Sequence, residues 1–358
     1  MIAYMSVPFE SRGTWTAVVS PFSASGQLDL PTFKRLVTFL ADQGVTGVVP
    51  CGTTGESPTL AWHEHDEVVE TAVDAIGDRI GVLAGAGSNN TEEAVRGTKH
   101  AWERGASAVL LVDCYYNGPS SLELRTEYYE RVLTEVPDIP VVPYVIPGRT
   151  GCALAAEDLA LLHQQTPERV PAVKQATGDL DRMRWDRELA GDRLAILSGD
   201  DDLTMSMMAD PVIKCSGVIS VMANVVPRAV NDMVAAQAAG NAGQAGEIAG
   251  KIGPLLKLVS CNAHNVRVMP DGRRLEIEDK FRNPMPVKTM MAGLGMIQPV
   301  CRPPLGKMSK SAVALCRDAL QQVYASAPEY LQPIAEQFDV DIAARLRDDS
   351  VWASLSYE

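Results

Sequence analysis

TEEAVRGTKHAWER (91–104), ASAVLLVDC (106–114), RTEYYERVLTEV (125–136) and PVVPYVI (140–146) follow one another with only short gaps, and their order decides the fold. In the first and third segments apolar residues recur at helical spacing. The second and fourth are short, nearly continuous apolar runs of strand length. Strands apolar on both faces need helices on one side and packed side chains on the other, which a parallel βα repeat supplies.

The same rhythm extends in both directions. Strands are expected at Trp15–Phe22, Val45–Cys51, Ile80–Ala86, Pro171–Thr177, Leu194–Ser198 and Gly217–Ala223, with helices at Pro31–Gln43 and Trp62–Ile76. Eight βα units predict an α/β fold of the TIM (β/α)8 barrel type, with a doubly wound sheet as the alternative. Several strands run straight into small or polar clusters, and in a barrel those ends share the rim where active sites lie.

After Asn224 the strand rhythm stops. Pro227–Val259, Pro284–Leu294, Lys310–Tyr324 and Pro333–Arg347 read as helices, and alternation about Asp271-Gly272 reads as a β-hairpin near 265–278. The expected organisation is a catalytic barrel over 1–226 and a C-terminal helical extension over 227–358 carrying that hairpin.

Composition narrows the partners. A 46% hydrophobic, 22% charged chain of 358 residues is globular, and its net charge of −13 with no dense basic run speaks against nucleic acid. An anionic substrate would then need a local Arg or Lys. Seven scattered cysteines without a CxxC pair read as reduced core residues. MIAYMSVPFESRG (1–13) lacks a secretory pattern, and no apolar run is long enough for a membrane span, so a cytoplasmic protein is expected.

Lys174 stands out within VPAVKQAT (170–177), on the same strand face as Ala172 and Ala176. If that face looks into the barrel, burial disfavours the charged amine, and a free amine condenses with a carbonyl to a Schiff base. The competing readings are a buried lysine paired with a carboxylate and an edge strand facing water. Gly52-Thr-Thr-Gly55 offers hydroxyls and backbone N–H groups that hold a carboxylate or relay a proton, or else a helix cap. Tyr115, Tyr116 and Tyr144 end strands, where phenols pass protons or simply fill space. Arg149 is the local cation required above, or the partner in a surface ion pair. Asp200-Asp201-Asp202 reads as a helix cap, and the His63/His65 pair as helix surface. No histidine spacing suggests a metal site.

Together these motifs resemble the dihydrodipicolinate synthase/N-acetylneuraminate lyase family of class I pyruvate aldolases, over about residues 14–325. The resemblance rests on GTTGES (52–57), GAGSNNT (85–91), YYN (115–117), YVIPGRTG (144–151), AVKQATGDL (172–180), SGDD (198–201), GVISVMAN (217–224) and NPMPVK (283–288). It implies Lys174 as the Schiff-base lysine, and Thr53, Tyr144 and Tyr116 as a proton relay, with Tyr116 entering from a neighbouring subunit of a homodimer or homotetramer. It further implies that Thr54 binds pyruvate's carboxylate, that Gly199 and Ile219 line the pocket, and that Arg149 receives a second carboxylate. No cofactor is implied.

The Arg-Thr-Gly loop resembles the synthase branch, which condenses pyruvate with L-aspartate 4-semialdehyde to 4-hydroxy-tetrahydrodipicolinate for lysine and diaminopimelate biosynthesis. Ser57, Trp62, His65, Asn89, Glu93 and Tyr115 map onto an L-lysine feedback pocket. Val145, where the family usually has Asn, and Cys114, where Pro is usual, depart from the pattern. The alternatives are another pyruvate aldolase or dehydratase acting on a sugar acid or hydroxyproline derivative, and a catalytically silent small-molecule sensor.

Overall fold

The computed structural model describes residues 7–357; Met1–Ser6, part of the stretch read for a secretory pattern, and Glu358 lie outside the described residues. Eight parallel strands close on themselves: β1 (Gly13–Ala17), β2 (Gly47–Val49), β3 (Gly81–Gly85), β4 (Ala108–Val112), β5 (Val141–Val145), β6 (Ala172–Gln175), β7 (Ala195–Ser198) and β8 (Gly217–Ser220). β1 pairs with both β2 and β8, which closes the barrel. Each strand is shorter than its apolar run, and in all but β7 the C-terminal residues of the run leave the ladder at the rim.

Period-two alternation separates two cores. Trp15, Val49, Leu83, Leu110, Val142, Tyr144, Leu197 and Ile219 fill the lumen, while Val48, Val109, Val145 and Val173 pack outward against the helices. Trp15 plugs the lumen at the N-terminal end of the strands. A Cβ at Gly47 would lie 2.3 Å from its ring and one at Gly81 2.4 Å, so these positions tolerate no side chain. Emptying such a site by Trp15→Ala costs about 3–5 kcal/mol.

Two expected helices differ in form. The Arg125–Val136 stretch begins as a π-turn over Leu124–Tyr129 before the α-helix Glu130–Glu135. The widened turn buries adjacent Tyr128 and Tyr129, whose hydroxyls donate to the Val112 carbonyl and to Asp113 Oδ1. Pro227–Val259 is two helices, Pro227–Ala238 and Ala242–Leu256, because Gly240 adopts a left-handed φ of 80° and reverses the chain. Likewise Asp339, at φ 54°, separates Gln332–Phe338 from Ile342–Arg347.

The hairpin is longer than its pattern suggested. β9 (Cys261–Val268) pairs antiparallel with β10 (Arg274–Phe281), and Val266, Val268, Leu275 and Ile277 on it are exposed. The final helices fold back on the barrel: Phe338 stacks edge-on against Phe39 of the helix Leu30–Asp42, with ring centroids 5.6 Å apart. Among the described residues no helix is long and apolar enough to cross a membrane.

Candidate active site

The segment after β2 makes a tight turn whose ends, Cys51 and Glu56, both have a left-handed φ of 55°. Such backbone costs of order 1–3 kcal/mol per residue unless its surroundings hold it. Here they do. Ser20 Oγ donates to the Gly55 carbonyl at 2.7 Å, and the buried Glu56 carboxylate accepts from Lys288 Nζ and, at 2.9 Å, from the Arg302 backbone N–H. The Gly52–Gly55 segment is therefore not a helix cap: the next α-helix starts only at Trp62.

Lys174 lies on β6 in register with Tyr144 on β5. Its neighbours in alternation, Ala172 and Ala176, belong to the lumen, and Lys174 is only 5% exposed. The Nζ sits 4.1 Å from the centroid of the Tyr144 ring, and no carboxylate within ion-pairing distance answers it among the described residues. Gly199 leaves room for this side chain, since a Cβ there would stand 3.1 Å from Lys174 Cε and 2.7 Å from Ala176 Cβ.

A cleft of about 190 Å³ opens at the rim beside Tyr144, bounded by Thr53, Leu110, Tyr115, Ile146 and Arg149 among others. Lys174, Thr54, Gly199 and Ile219 are not among the residues that line it, and Thr54 and Ile219 are buried. Arg149 Nη2 donates to the Asn283 carbonyl at 2.8 Å and has no carboxylate partner among the described residues, so its charge is unneutralised at the mouth. The Thr53 and Tyr144 hydroxyls make no hydrogen bond to each other in this structure. Tyr116, with φ 75° and 94% exposure, does not line the cleft of its own chain.

Asp200 and Asp201 flank the lysine from the rim after β7. Burial, reinforced by the Asp202 charge, lifts the Asp200 carboxyl to about 6, and the Lys174 charge opposes the lift. The three aspartates do not cap the following helix, whose cap position is Leu203. Asp201 instead accepts from the backbone N–H of Val221 at 2.8 Å and from the Ser220 hydroxyl, fixing the turn after β8.

A second cavity, about 140 Å³, is bounded by Ser57, Trp62, His65, Glu93 and Tyr115, and shares Ser57, Pro58, Gly87 and Tyr115 with the active-site cleft. Asn89 stands one step outside, where its Oδ1 accepts from the Tyr115 backbone N–H at 2.6 Å. His65 is not a surface residue: it is 4% exposed, its Nε2 donates to the Gly85 carbonyl at 2.6 Å, and burial lowers its basicity. The expected helix places His65 on its buried face, which the sequence pattern had hidden behind the neighbouring exposed His63.

Neither departure from the family pattern reaches the lysine. Val145 faces outward into the helix layer, opposite to Tyr144, and the Cys114 thiol contacts the Ser88 carbonyl. Among the site's neighbours, Asn283 and Lys288 had no role assigned from sequence, although both lie in the NPMPVK segment that carried the resemblance.

A family model described as the dihydrodipicolinate synthetase family matches residues 10–323. A 4-hydroxy-tetrahydrodipicolinate synthase of Methanothrix thermoacetophila is 40% identical over 313 residues, which is 87% of this chain and 97% of that one. The crystal structure of dihydrodipicolinate synthase from Aquifex aeolicus superposes with a TM-score of 0.77 at 36% identity, covering 87% of this chain and 97% of that one. The Cyanidioschyzon merolae enzyme, solved with lysine bound, gives a TM-score of 0.77 at 30% identity, over 88% of this chain and 99% of that one. With a lone lysine inside a closed parallel barrel, an unpaired arginine at its mouth and likeness along nearly the whole length of these relatives, the chain belongs to the dihydrodipicolinate synthetase family.

Proposed function

We propose that Lys174 forms the Schiff base in the condensation of pyruvate with L-aspartate 4-semialdehyde to 4-hydroxy-tetrahydrodipicolinate, a lyase-type step of lysine and diaminopimelate biosynthesis. The observation that carries this assignment is the lumen-facing amine without a carboxylate partner, stacked against Tyr144. Its unprotonated form adds to C2 of pyruvate, and loss of water gives the imine. Removal of a C3 proton yields the enamine, which attacks the aldehyde carbon. The amino group of the added unit then displaces Lys174 from the former C2, closing the ring and freeing the amine.

Tyr144 and Thr53, which line the cleft, are assigned the protons of these steps, and Thr54 with its turn is assigned pyruvate's carboxylate. Arg149 suits a bidentate grip on the semialdehyde's carboxylate. The exposed, left-handed Tyr116 supports a role across an interface with a second copy, hence a homo-oligomer. The seven free thiols suit a reducing, cytoplasmic setting. Borohydride reduction in the presence of pyruvate tests the assignment. A stable adduct on Lys174, absent from Lys174→Ala, is expected, and labelling elsewhere would sink it.

The second cavity is assigned to L-lysine as feedback effector. Glu93 supplies a carboxylate for its ammonium, and the buried His65 lines the same cavity. Inhibition by L-lysine that survives Glu93→Gln unchanged would remove this assignment.

A further inference from the structure

Asn283 joins two anion-gripping groups that the barrel alone does not connect. It lies just before the helix Met285–Leu294, is 8% exposed, and its side-chain Nδ2 donates to Thr54 Oγ1 at 3.0 Å. Its backbone carbonyl accepts from Arg149 Nη2 at 2.8 Å. One residue of the C-terminal region therefore touches both the turn after β2 and the arginine at the mouth, by chemically separate groups.

The direction of the first bond matters. A threonine hydroxyl has one proton to give, and a hydroxyl that already receives a hydrogen bond is left with that proton to donate elsewhere. Among the described residues nothing accepts the Thr54 proton. The Asn283 amide meets this hydroxyl through its N–H, and its Oδ1 is buried without a hydrogen-bond partner among the described residues. The hydroxyl is thus preset as a donor, which is what a substrate carboxylate requires, and presetting it removes a reorganisation step when the anion arrives.

We infer that Asn283 is a positioning residue for the keto acid: its side-chain amide aims the Thr54 hydroxyl at pyruvate's carboxylate, while its backbone separately steadies Arg149 for the second substrate. This rests on the assignment of Thr54 to the pyruvate carboxylate. The two halves come apart under mutation, because a side-chain substitution removes the amide and keeps the carbonyl.

The test is a double-mutant cycle of Asn283→Ala and Thr54→Val on the full-length enzyme, with KM measured for each substrate. Asn283→Ala is expected to raise the pyruvate KM about 5- to 10-fold and to leave the semialdehyde KM within about twofold, with borohydride trapping at saturating pyruvate still labelling Lys174 as proof of an assembled site. In the Thr54→Val background the same substitution should add less than about twofold, since its effect passes through the missing hydroxyl. Equal increases in both KM values, full additivity with Thr54→Val, or no change in the pyruvate KM would each overturn the inference. An unaltered pyruvate KM in Thr54→Val alone would instead overturn the role of Thr54, so the two failures are told apart.

Discussion

Lys174 and Lys288 are hidden from water to nearly the same degree, 5% and 3% exposed, and their surroundings are opposite. Lys288 has every hydrogen accounted for by polar or aromatic neighbours: the Glu56 carboxylate, the Ser20 carbonyl at 3.0 Å, and the Phe22 ring 4.5 Å below. Lys174 has an aromatic face and, among the described residues, no ion-pairing carboxylate. The reading weighed against catalysis for Lys174, a buried lysine paired with a carboxylate, is what Lys288 turns out to be. The contrast teaches that a buried amine is judged by what faces it: a paired one holds structure, an unpaired one is free for covalent chemistry.

Lys174→Ala should lower turnover on the order of 10⁴-fold or more, while its thermal unfolding stays close to that of the parent, because no ion pair is broken. A large loss of stability in that variant would erase the distinction between the two lysines. Lys288→Met should do the reverse, destabilising the fold by about 3–5 kcal/mol in denaturant titrations by stranding Glu56, with Lys174 still trapped by pyruvate and borohydride at a temperature where the variant is folded. Normal stability there would mean that Glu56 finds another partner.

Arg149→Ala removes a charge at the mouth of the cleft and should raise the semialdehyde KM by roughly 10- to 100-fold, with the pyruvate KM little altered. Equal effects on both substrates would assign Arg149 to shape rather than to the second carboxylate.

Asp113 extends the comparison to a buried acid, with burial outweighing bonds from the Tyr129 hydroxyl and the Leu154 backbone to lift its carboxyl to about 6. A carboxyl whose pKa is higher folded than unfolded favours the native state fully below the unfolded value, near 3.8, and that contribution disappears as pH rises through 6. The stability advantage of the parent over Asp113→Asn should therefore shrink by about 1–3 kcal/mol between pH 4 and pH 7, followed by chemical denaturation. A pH-independent difference would show that Asp113 is ionised throughout.

Much of this molecule is legible in its sequence because local pattern and tertiary role agree. The apolar runs announce eight strands, and the alternation Ala172, Lys174, Ala176 places the amine on the lumen side. What escaped depends on backbone irregularity or on contacts between distant segments. The π-turn at Leu124–Tyr129 breaks the helical period that turns adjacent tyrosines apart, and the left-handed Gly240 ends a helix inside a run that is helical on both sides. His65 looked solvent-facing because its neighbour His63 is. The ties from Asn283 to Thr54 and from Lys288 to Glu56 each span more than 200 positions, and no periodicity encodes them.

Those ties bear on how the enzyme is born. Ser220, the last residue of the barrel strands, leaves the ribosome about sixty residues ahead of Asn283. Since domains generally fold from the amino end as they are made, the nascent barrel can close around Lys174 while the turn that carries Thr54 still lacks its tie to Asn283. A ribosome stalled between these two points would then display a formed barrel whose Thr54 turn is not yet tied to the later chain.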